Sequence, residues 1–452
     1  MTNNYLPQAF DKNNFPPDFK WGISVAAYQT EGAHNIDGKG PSIWDEFTAK
    51  KGKIYKNQHG NIACNFYHQY QQDIQLLKQL NIPNFRFSVS WSRVLPNGIG
   101  EVNEAGILYY NQLIDYCLAQ GITPWLTLYH WDLPQALEKK GGWTNRHIIQ
   151  WFAQFVSLCA ARFGHRVKHW MVMNEPVVFT GAGYFLGIHA PGRRGMNNFL
   201  PAIHHTTLAI AEGGRILKKM LPTDTLVGTT FSCSYIQPYR NLPRDVKAAS
   251  RVDALLNRLF IEPLLGLGYP DNELPILKNI KKHMFLGDEE KMVFDFDFIG
   301  IQNYTREIIK NSWFTPYIKA SLIAAPKRKV PTTVMRWEIY PESIYKMIEK
   351  FSAYPQIKKL YITENGAAFA DEVHNGEVND VERINYFKTH IAQVLKAKQN
   401  GLKIDGYFVW TLTDNFEWAE GYHPRFGLIH VDFDTQKRTI KNSGLWFADF
   451  LK

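Results

Sequence analysis

Eight short apolar segments alternate with helical segments along this chain, and that alternation limits its fold more than any other feature. Each apolar segment has the length and the β-branched content of a buried strand. The predicted strands are 20–27, 84–90, 123–129, 169–173, 226–233, 296–301, 359–363 and 406–412. Helical spacing of apolar residues fills the intervals between them, most clearly over 67–80, 104–119, 148–163 and 380–398. Asp380 is expected to cap the last of these helices.

Two parallel architectures fit this pattern, a closed barrel and an open doubly wound sheet. An open sheet of the nucleotide-binding kind needs a glycine-rich phosphate loop after its first strand, and none follows 20–27. No low-complexity linker and no short repeat divides the 452 residues. The sequence therefore predicts an α/β fold, with one catalytic domain over residues 1–452 built as a single (β/α)8 TIM barrel with long βα loops.

Polar and aromatic side chains occupy the positions where the predicted strands end. These residues are Gln29, Arg86, His130, Glu175, Tyr304, Glu364 and Trp410. The interior of a barrel favours Val, Ile and Leu, so residues of these types at the carboxyl ends of the strands indicate an assembled site.

Glu175 and Glu364 are the most informative of these residues. A short apolar run precedes each one, and Pro176 or the Asn365-Gly366 turn then ends the strand. Two carboxylates that face each other across the rim of a barrel are the groups that hydrolysis of a glycosidic bond requires.

Composition argues against several other functions. The net charge is +9, but the densest basic run, Lys327-Arg328-Lys329, is short, and no basic stripe predicts a nucleic-acid partner.

The four cysteines are far apart, which argues against a disulfide framework and suits a reducing compartment. The first five residues lack the features of a signal peptide, and no run approaches the about 18 apolar residues that span a bilayer. We therefore expect a cytoplasmic protein without a membrane segment.

One stretch has the outline of a calcium loop. Residues 371–382 place Gly376 and Glu382 at suitable positions, but Val373 stands where a ligand is needed. We expect no metal and no cofactor.

An ordered series of motifs along nearly the whole chain resembles glycoside hydrolase family 1, the β-glucosidase family. The motifs are Gln29-Thr30-Glu31-Gly32, Arg86-Phe87-Ser88, His130-Trp131-Asp132-Leu133-Pro134, the two glutamate segments, Asp414-Asn415-Phe416-Glu417-Trp418 and Arg425-Phe426-Gly427. The resemblance implies a retaining β-glycosidase that acts on small-molecule β-glucosides, with β-galactosides and β-fucosides as further candidate substrates.

The resemblance also implies roles for individual residues. Glu364 would be the nucleophile, and Glu175 would be the general acid and then the general base. Arg86 and Tyr304 would keep Glu364 ionised. The implied substrate-binding residues are Gln29, His130, Trp131, Asn174, Tyr304, Trp337, Trp410, Glu417 and Trp418.

Two alternatives stay open at this point. A 6-phospho-β-glycosidase shares most of these motifs but usually has Ser at the position of Glu417, with Lys and Tyr nearby. A non-catalytic binding or receptor protein on the same fold would lack one of the two glutamates. The chain also departs from the family's frequent Asn-Tyr-Tyr with Gln302-Asn303-Tyr304, so we expect Gln302 to move a contact near the leaving group. The sequence predicts neither the aglycone nor the oligomeric state.

Overall fold

A closed barrel of parallel strands forms the centre of the molecule. The computed structural model describes residues 11–452, so the N-terminal segment considered above lies outside the described residues. The strands are β1 (Lys20–Ser24), β2 (Asn84–Ser88), β3 (Thr123–Tyr129), β4 (His169–Asn174), β5 (Leu226–Ser232), β6 (Tyr235–Pro238), β7 (Phe298–Gln302), β8 (Arg306–Asn311), β9 (Ala320–Leu322), β10 (Leu360–Asn365), β11 (Ile404–Trp410), β12 (Ile429–Val431) and β13 (Arg438–Ile440). The barrel closes in the order β1-β11-β10-β7-β5-β4-β3-β2, which confirms the predicted fold class.

Each of the eight predicted strands is a barrel strand. The bounds of β3 are as predicted, and the largest shift is at β1, which was expected over 20–27 and ends at Ser24. The early end has a local cause, because a short helix begins at Ala27, whose amide donates a hydrogen bond to Ser88 Oγ at 2.8 Å.

Helices surround the barrel and connect its strands. They are α1 (Ala27–Thr30), α2 (Ile43–Thr48), α3 (Phe66–Gln79), α4 (Trp91–Val94), α5 (Glu104–Ala119), α6 (Gln135–Glu138), α7 (Ile148–Phe163), α8 (Pro176–Val178), α9 (Met196–Met220), α10 (Pro243–Asp253), α11 (Ile261–Leu264), α12 (Asp288–Lys291), α13 (Ala325–Arg328), α14 (Glu342–Ser352), α15 (Val381–Gln399) and α16 (Asn442–Phe450). The four helices predicted from periodicity agree with α3, α5, α7 and α15 to within one residue at each end.

The expected role of Asp380 is only partly correct. Asp380 occupies the position just before α15, but its side chain does not cap the helix amides. Its carboxylate instead accepts hydrogen bonds from the Arg383 guanidinium and from the backbone amide and hydroxyl of Ser443. This carboxylate therefore takes part in a buried ion pair and does not bind the amides of the helix.

Large side chains close the lower part of the barrel interior. Trp125, Met171, Phe298, Tyr361 and Phe408 form one fully packed cluster, each at most 2% exposed. They fit because neighbouring strands carry glycine at the same level, as at Gly22, Gly228 and Gly406. The packed interior leaves the polar side chains above it at the carboxyl ends of the strands.

The long connections predicted after the strands carry structure of their own. β6, β8 and β9 form a separate three-stranded sheet beside the barrel, and β12 and β13 form a hairpin after β11. Among residues 11–452, no helix is both long and apolar enough to cross a bilayer.

Candidate active site

Glu175 and Glu364 line one cavity of about 320 Å³. Glu364 lies near the end of β10, and Glu175 directly follows β4. β7 and β5 stand between these two strands in the barrel, so the carboxylates approach the cavity from different sides of its rim.

The backbone of Glu175 has an uncommon conformation. Its φ of 45° lies in the left-handed region, which costs a non-glycine residue about 1–3 kcal/mol. The Glu175 amide still donates to Thr230 O of the neighbouring strand at 3.0 Å, and Pro176 then begins α8. The left-handed turn thus ends the strand at Glu175.

Glu364 is held by two hydrogen-bond donors. Arg86 donates from Nη1 to Oε1 at 2.5 Å, and the Tyr304 hydroxyl donates to Oε2 at 2.7 Å. Burial raises the pKa of Glu364, but the guanidinium and both hydrogen bonds oppose that rise. We therefore place the pKa of Glu364 below that of Glu175.

Glu175 lies in surroundings that favour its protonated form. Burial raises the pKa of Glu175 well above its usual range, and the negative charge of Glu364 raises it further. A hydrogen bond with Ser232 opposes the rise without cancelling it. The surroundings of the two carboxyls thus favour different protonation states.

Asn174 fixes the proton of the neighbouring histidine. Its Oδ1 accepts from Arg86 Nη2 at 2.5 Å and from Gln302 Nε2 at 2.8 Å, so Nδ2 must be the atom 3.0 Å from His130 Nε2. His130 Nε2 therefore accepts, and burial lowers the pKa of His130 well below its usual range. The single ring proton then belongs on Nδ1, which is buried and has no partner within the described residues.

The closed end of the cavity presents matching polar atoms. Gln29 Nε2 donates to Phe416 O at 3.0 Å and to Glu417 Oε2 at 3.2 Å, which leaves Gln29 Oε1 as an acceptor without a partner in the described chain. Burial raises the pKa of Glu417 to about 8, and the charge of Glu364 adds to the rise. A sugar hydroxyl both donates and accepts, so it can bind these atoms together with the Nδ1–H of His130.

Aromatic rings form much of the cavity wall. The ring centroids of Trp131 and Trp418 are 4.5 Å apart, and those of Tyr304 and Trp337 are 5.2 Å apart. The Trp131 indole N–H donates to Asn174 O at 3.0 Å, so this ring offers the cavity its apolar surface. Trp410 is 3% exposed and also lines the cavity.

The structure brings most of the predicted site residues together. The cavity lining includes Gln29, His130, Trp131, Glu175, Tyr304, Trp337, Glu364, Trp410, Glu417 and Trp418. Arg86 and Asn174 lie behind this lining, fully buried, and the four hydrogen bonds of the Asn174 amide use all of its capacity. Asn174 thus positions its neighbours here, and a contact with a ligand would require it to exchange one of these bonds.

Several lining residues were missed by sequence reasoning. They are Val178, His189, Ser232, Cys233, Ser234, Thr305, Glu307, Met335, Ala419, Glu420 and Phe426. Ser232 ends β5, so the strand-end argument would have found it if applied to that strand. Cys233 ends the predicted strand 226–233, and Phe426 belongs to a motif named above. The rest lie in the long connections after the strands, whose path the sequence does not predict.

The lining carries five glutamates and no lysine or arginine. Residues 11–452 contain no group of three or more His, Cys, Asp or Glu side chains that could hold a metal ion. In the stretch that resembled a calcium loop, Asp371 and Asp380 instead pair with Arg383.

The protein is a closed (β/α)8 barrel with two carboxyl groups at its rim. One carboxyl favours the ionised form and the other favours the protonated form. These features define a barrel hydrolase of the two-carboxylate class. The sequence profile of Glycosyl hydrolase family 1 matches residues 11–452. The chain belongs to that family.

Proteins named β-glucosidase are similar in sequence to this chain over nearly the full length of both. Beta-glucosidase A of Thermotoga maritima is 40% identical over 97% of this chain and 98% of its own. Beta-glucosidase A of Acetivibrio thermocellus is 40% identical over 98% of this chain and 99% of its own. A solved structure of the Thermotoga maritima family 1 β-glucosidase superposes with a TM-score of 0.92 at 39% identity, covering 97% and 98% of the two chains. That β-glucosidase has also been solved in complex with deoxynojirimycin.

Proposed function

We propose that this protein is a retaining β-glucosidase that hydrolyses terminal, non-reducing β-D-glucosyl residues. The observation that carries the proposal is the unequal environment of Glu175 and Glu364 within one cavity. Glu364 has a cation and a hydroxyl as donors, whereas Glu175 is buried beside a negative charge. The names of the relatives support the same activity.

In the first step the Glu364 carboxylate attacks the anomeric carbon. The bond to the leaving oxygen breaks, and Glu175 gives its proton to that oxygen. The guanidinium of Arg86 pairs with the Glu364 carboxylate and favours the ionised form that attacks. The product of this step is a glycosyl ester on Glu364, and the aglycone leaves as a neutral alcohol.

In the second step the same pair hydrolyses the ester. Esterification removes the negative charge of Glu364, which is the second cause of the raised pKa of Glu175. The pKa of Glu175 therefore falls at this stage, so its carboxylate can take a proton from water. The water oxygen attacks the anomeric carbon, and the bond to Glu364 breaks and releases that side chain as a carboxylate. Two inversions give net retention, so we expect the two carboxyl groups to lie about 5–5.5 Å apart.

The closed end of the cavity suits the hydroxyls of an uncharged sugar. Gln29 supplies an acceptor, His130 supplies a donor, and Glu417 completes the set. Trp410 and Trp418 would pack against the apolar faces of the ring. β-Galactosides and β-fucosides present the same kinds of group and are further candidate substrates. Trp337 would contact the leaving group.

A phosphorylated sugar fits this cavity poorly. The lining contains no lysine or arginine to balance a phosphate dianion, and Glu417 stands at the closed end. This disfavours the 6-phospho-β-glycosidase alternative. A non-catalytic binding protein is disfavoured because both carboxyls are present.

We further propose that residues 1–452 act as one catalytic domain in a reducing compartment such as the cytoplasm. Free, buried thiols at Cys64, Cys117, Cys159 and Cys233 support that location.

The stereochemistry of the first product tests the proposed mechanism. A proton NMR time course with a nitrophenyl β-glucoside should show β-glucose first and α-glucose only after mutarotation. If α-glucose appears first, the enzyme inverts and the double displacement is wrong. If no glucose forms from any β-glucoside, the proposed activity itself is wrong.

A further inference from the structure

A carboxylate that the proposed reaction does not use lies in the cavity wall. Glu307 is on β8 and lines the same cavity as Glu175 and Glu364. Its carboxylate makes no hydrogen bond and no ion pair within 4 Å among the described residues. This half-buried carboxylate is therefore available to pair with a group that enters the cavity.

Arg328, whose charge acts on Glu307, and Arg306, the preceding residue, both already bind another carboxylate. Arg306 donates twice to Glu338, at 2.8 Å from both Nε and Nη2, and Arg328 donates to the same carboxylate at 2.6 Å. Burial is the main cause that raises the pKa of Glu307 to about 7, with Glu338 adding to the rise and Arg328 opposing it. The Glu307 carboxylate therefore stays unpaired among the described residues where it lines the cavity.

Glu307 belongs to a different part of the cavity wall from the residues of the closed end. Gln29 and Glu417 come from segments next to β1 and β11, which are neighbours in the barrel. β8 belongs instead to the sheet beside the barrel and follows Tyr304, whose ring packs on Trp337. A group bound at Glu307 would thus belong to the leaving portion of a substrate.

We propose that Glu307 binds a positively charged group on the aglycone, so that the enzyme prefers β-glucosides with a cationic leaving group over matched neutral or anionic ones. This inference rests on the proposed glucosidase activity. An ammonium group would give the carboxylate a charge-assisted hydrogen bond inside a wall that excludes part of the solvent. The absence of lysine and arginine from the lining acts in the same direction, because no cation of the lining competes for Glu307.

Three aglycones of nearly equal size test the proposal. They are 4-(aminomethyl)phenyl, 4-(hydroxymethyl)phenyl and 4-carboxyphenyl, each as the β-glucoside, assayed for kcat/KM above pH 7. In the unmodified enzyme, kcat/KM should be about tenfold higher for the aminomethyl than for the hydroxymethyl glucoside, and about tenfold higher for the hydroxymethyl than for the carboxy glucoside. The range of kcat/KM over the three glucosides is called the spread. Differences in leaving-group acidity cancel when each spread is compared between the enzyme and its variants.

Variants at two glutamates of the lining distinguish binding at Glu307 from a general effect of negative charge in the cavity. Glu307→Gln removes the charge at nearly constant shape and should collapse the spread, mainly through KM, while Glu307→Asp should keep part of it. Glu420→Gln removes a charge from the exposed rim of the same cavity and should leave most of the spread. No preference in the unmodified enzyme, or an equal collapse in Glu420→Gln, overturns the assignment to Glu307. Failure to hydrolyse the neutral hydroxymethyl glucoside would instead contradict the proposed activity.

Discussion

The chemistry proposed for this site depends on two glutamates with the same side chain and opposite surroundings. Glu364 accepts hydrogen bonds from Arg86 and Tyr304, and Glu175 is buried next to the negative charge of Glu364. Local environment thus gives each carboxyl the protonation state that its proposed role requires.

Alanine at each glutamate should affect different substrates. Glu364→Ala removes the nucleophile and should lower kcat/KM by more than about 10⁴-fold on every β-glucoside. Glu175→Ala removes the acid and should cost about 10²–10⁴-fold on an alkyl glucoside, but less than about tenfold on a dinitrophenyl glucoside, whose leaving group needs little protonation. Initial rates on both substrates measure this split, and equal losses in the two variants would contradict the assigned roles.

The pH dependence of kcat/KM should be bell-shaped. Activity falls on the acid side as the pair binds a second proton and Glu364 is neutralised. It falls on the alkaline side as Glu175, whose pKa burial and Glu364 raise, loses its proton. In Glu175→Gln, assayed with a dinitrophenyl glucoside, the alkaline limb should disappear while the acid limb remains. Persistence of the alkaline limb in that variant would mean that another group is the acid.

Sequence reasoning found the residues whose signal is local. Glu175 and Glu364 stand at strand ends marked by Pro176 and the Asn365-Gly366 turn, and such signals depend only on neighbouring residues. Glu307 carries no such signal. It reaches the cavity because β8 pairs with β6, a segment about seventy residues earlier in the chain, and sequence patterns do not predict that pairing.

At the scale of elements, the barrel strands depend on glycine as much as on large side chains. Gly228 on β5 faces the ring of Phe298 on β7, and an added Cβ would lie 2.4 Å from Cε2 of that ring. The ring itself cannot move easily, because Tyr361 packs edge-on against it with centroids 5.1 Å apart. Close approach therefore requires glycine at this position.

Gly228→Ala should destabilise the protein by about 1–3 kcal/mol through overpacking. Gly181→Ala is the matched control, since an added Cβ there meets no atom within 4 Å and the backbone of Gly181 is not left-handed. The control should change stability by no more than about 0.5 kcal/mol. Thermal unfolding midpoints compare the two, and equal midpoints would contradict the close packing described here.

At the scale of the whole molecule, a buried ionic cluster ties the C-terminal helix to the active site. Lys441, just before α16, donates to Asp371 at 2.5 Å and to Asp414 at 2.6 Å. Asp371 also pairs with Arg383, and Asp414 with Arg425. Asp414 lies three residues before Glu417, so the cluster anchors the loop that closes the cavity.

Charge in this cluster is balanced between residues far apart in the chain. Although burial raises the pKa of Asp414, Lys441 and Arg425 outweigh that effect and hold it below its usual range. Residues 371 and 441 belong to different loops, which the closing of the barrel brings together. Sequence analysis considered Asp371 only within a calcium-like stretch, because a partner seventy residues away has no local signature.

Replacement of Lys441 should show how much the fold depends on this cluster. Lys441→Met leaves two buried carboxylates without their shared cation, and breaking a buried pair in this way costs about 3–5 kcal/mol. Lys452→Met is the control, because Lys452 pairs with Asp449 at the surface, with their side chains 69% and 71% exposed, and should cost less than about 1 kcal/mol. The Lys441 variant should therefore unfold at a clearly lower temperature than the control. Below that temperature its KM for a nitrophenyl β-glucoside should rise, because the Glu417 loop loses its anchor.

Equal unfolding temperatures in the two variants would mean that the cluster adds nothing to stability. An unchanged KM would mean that the Glu417 loop holds its position without the cluster.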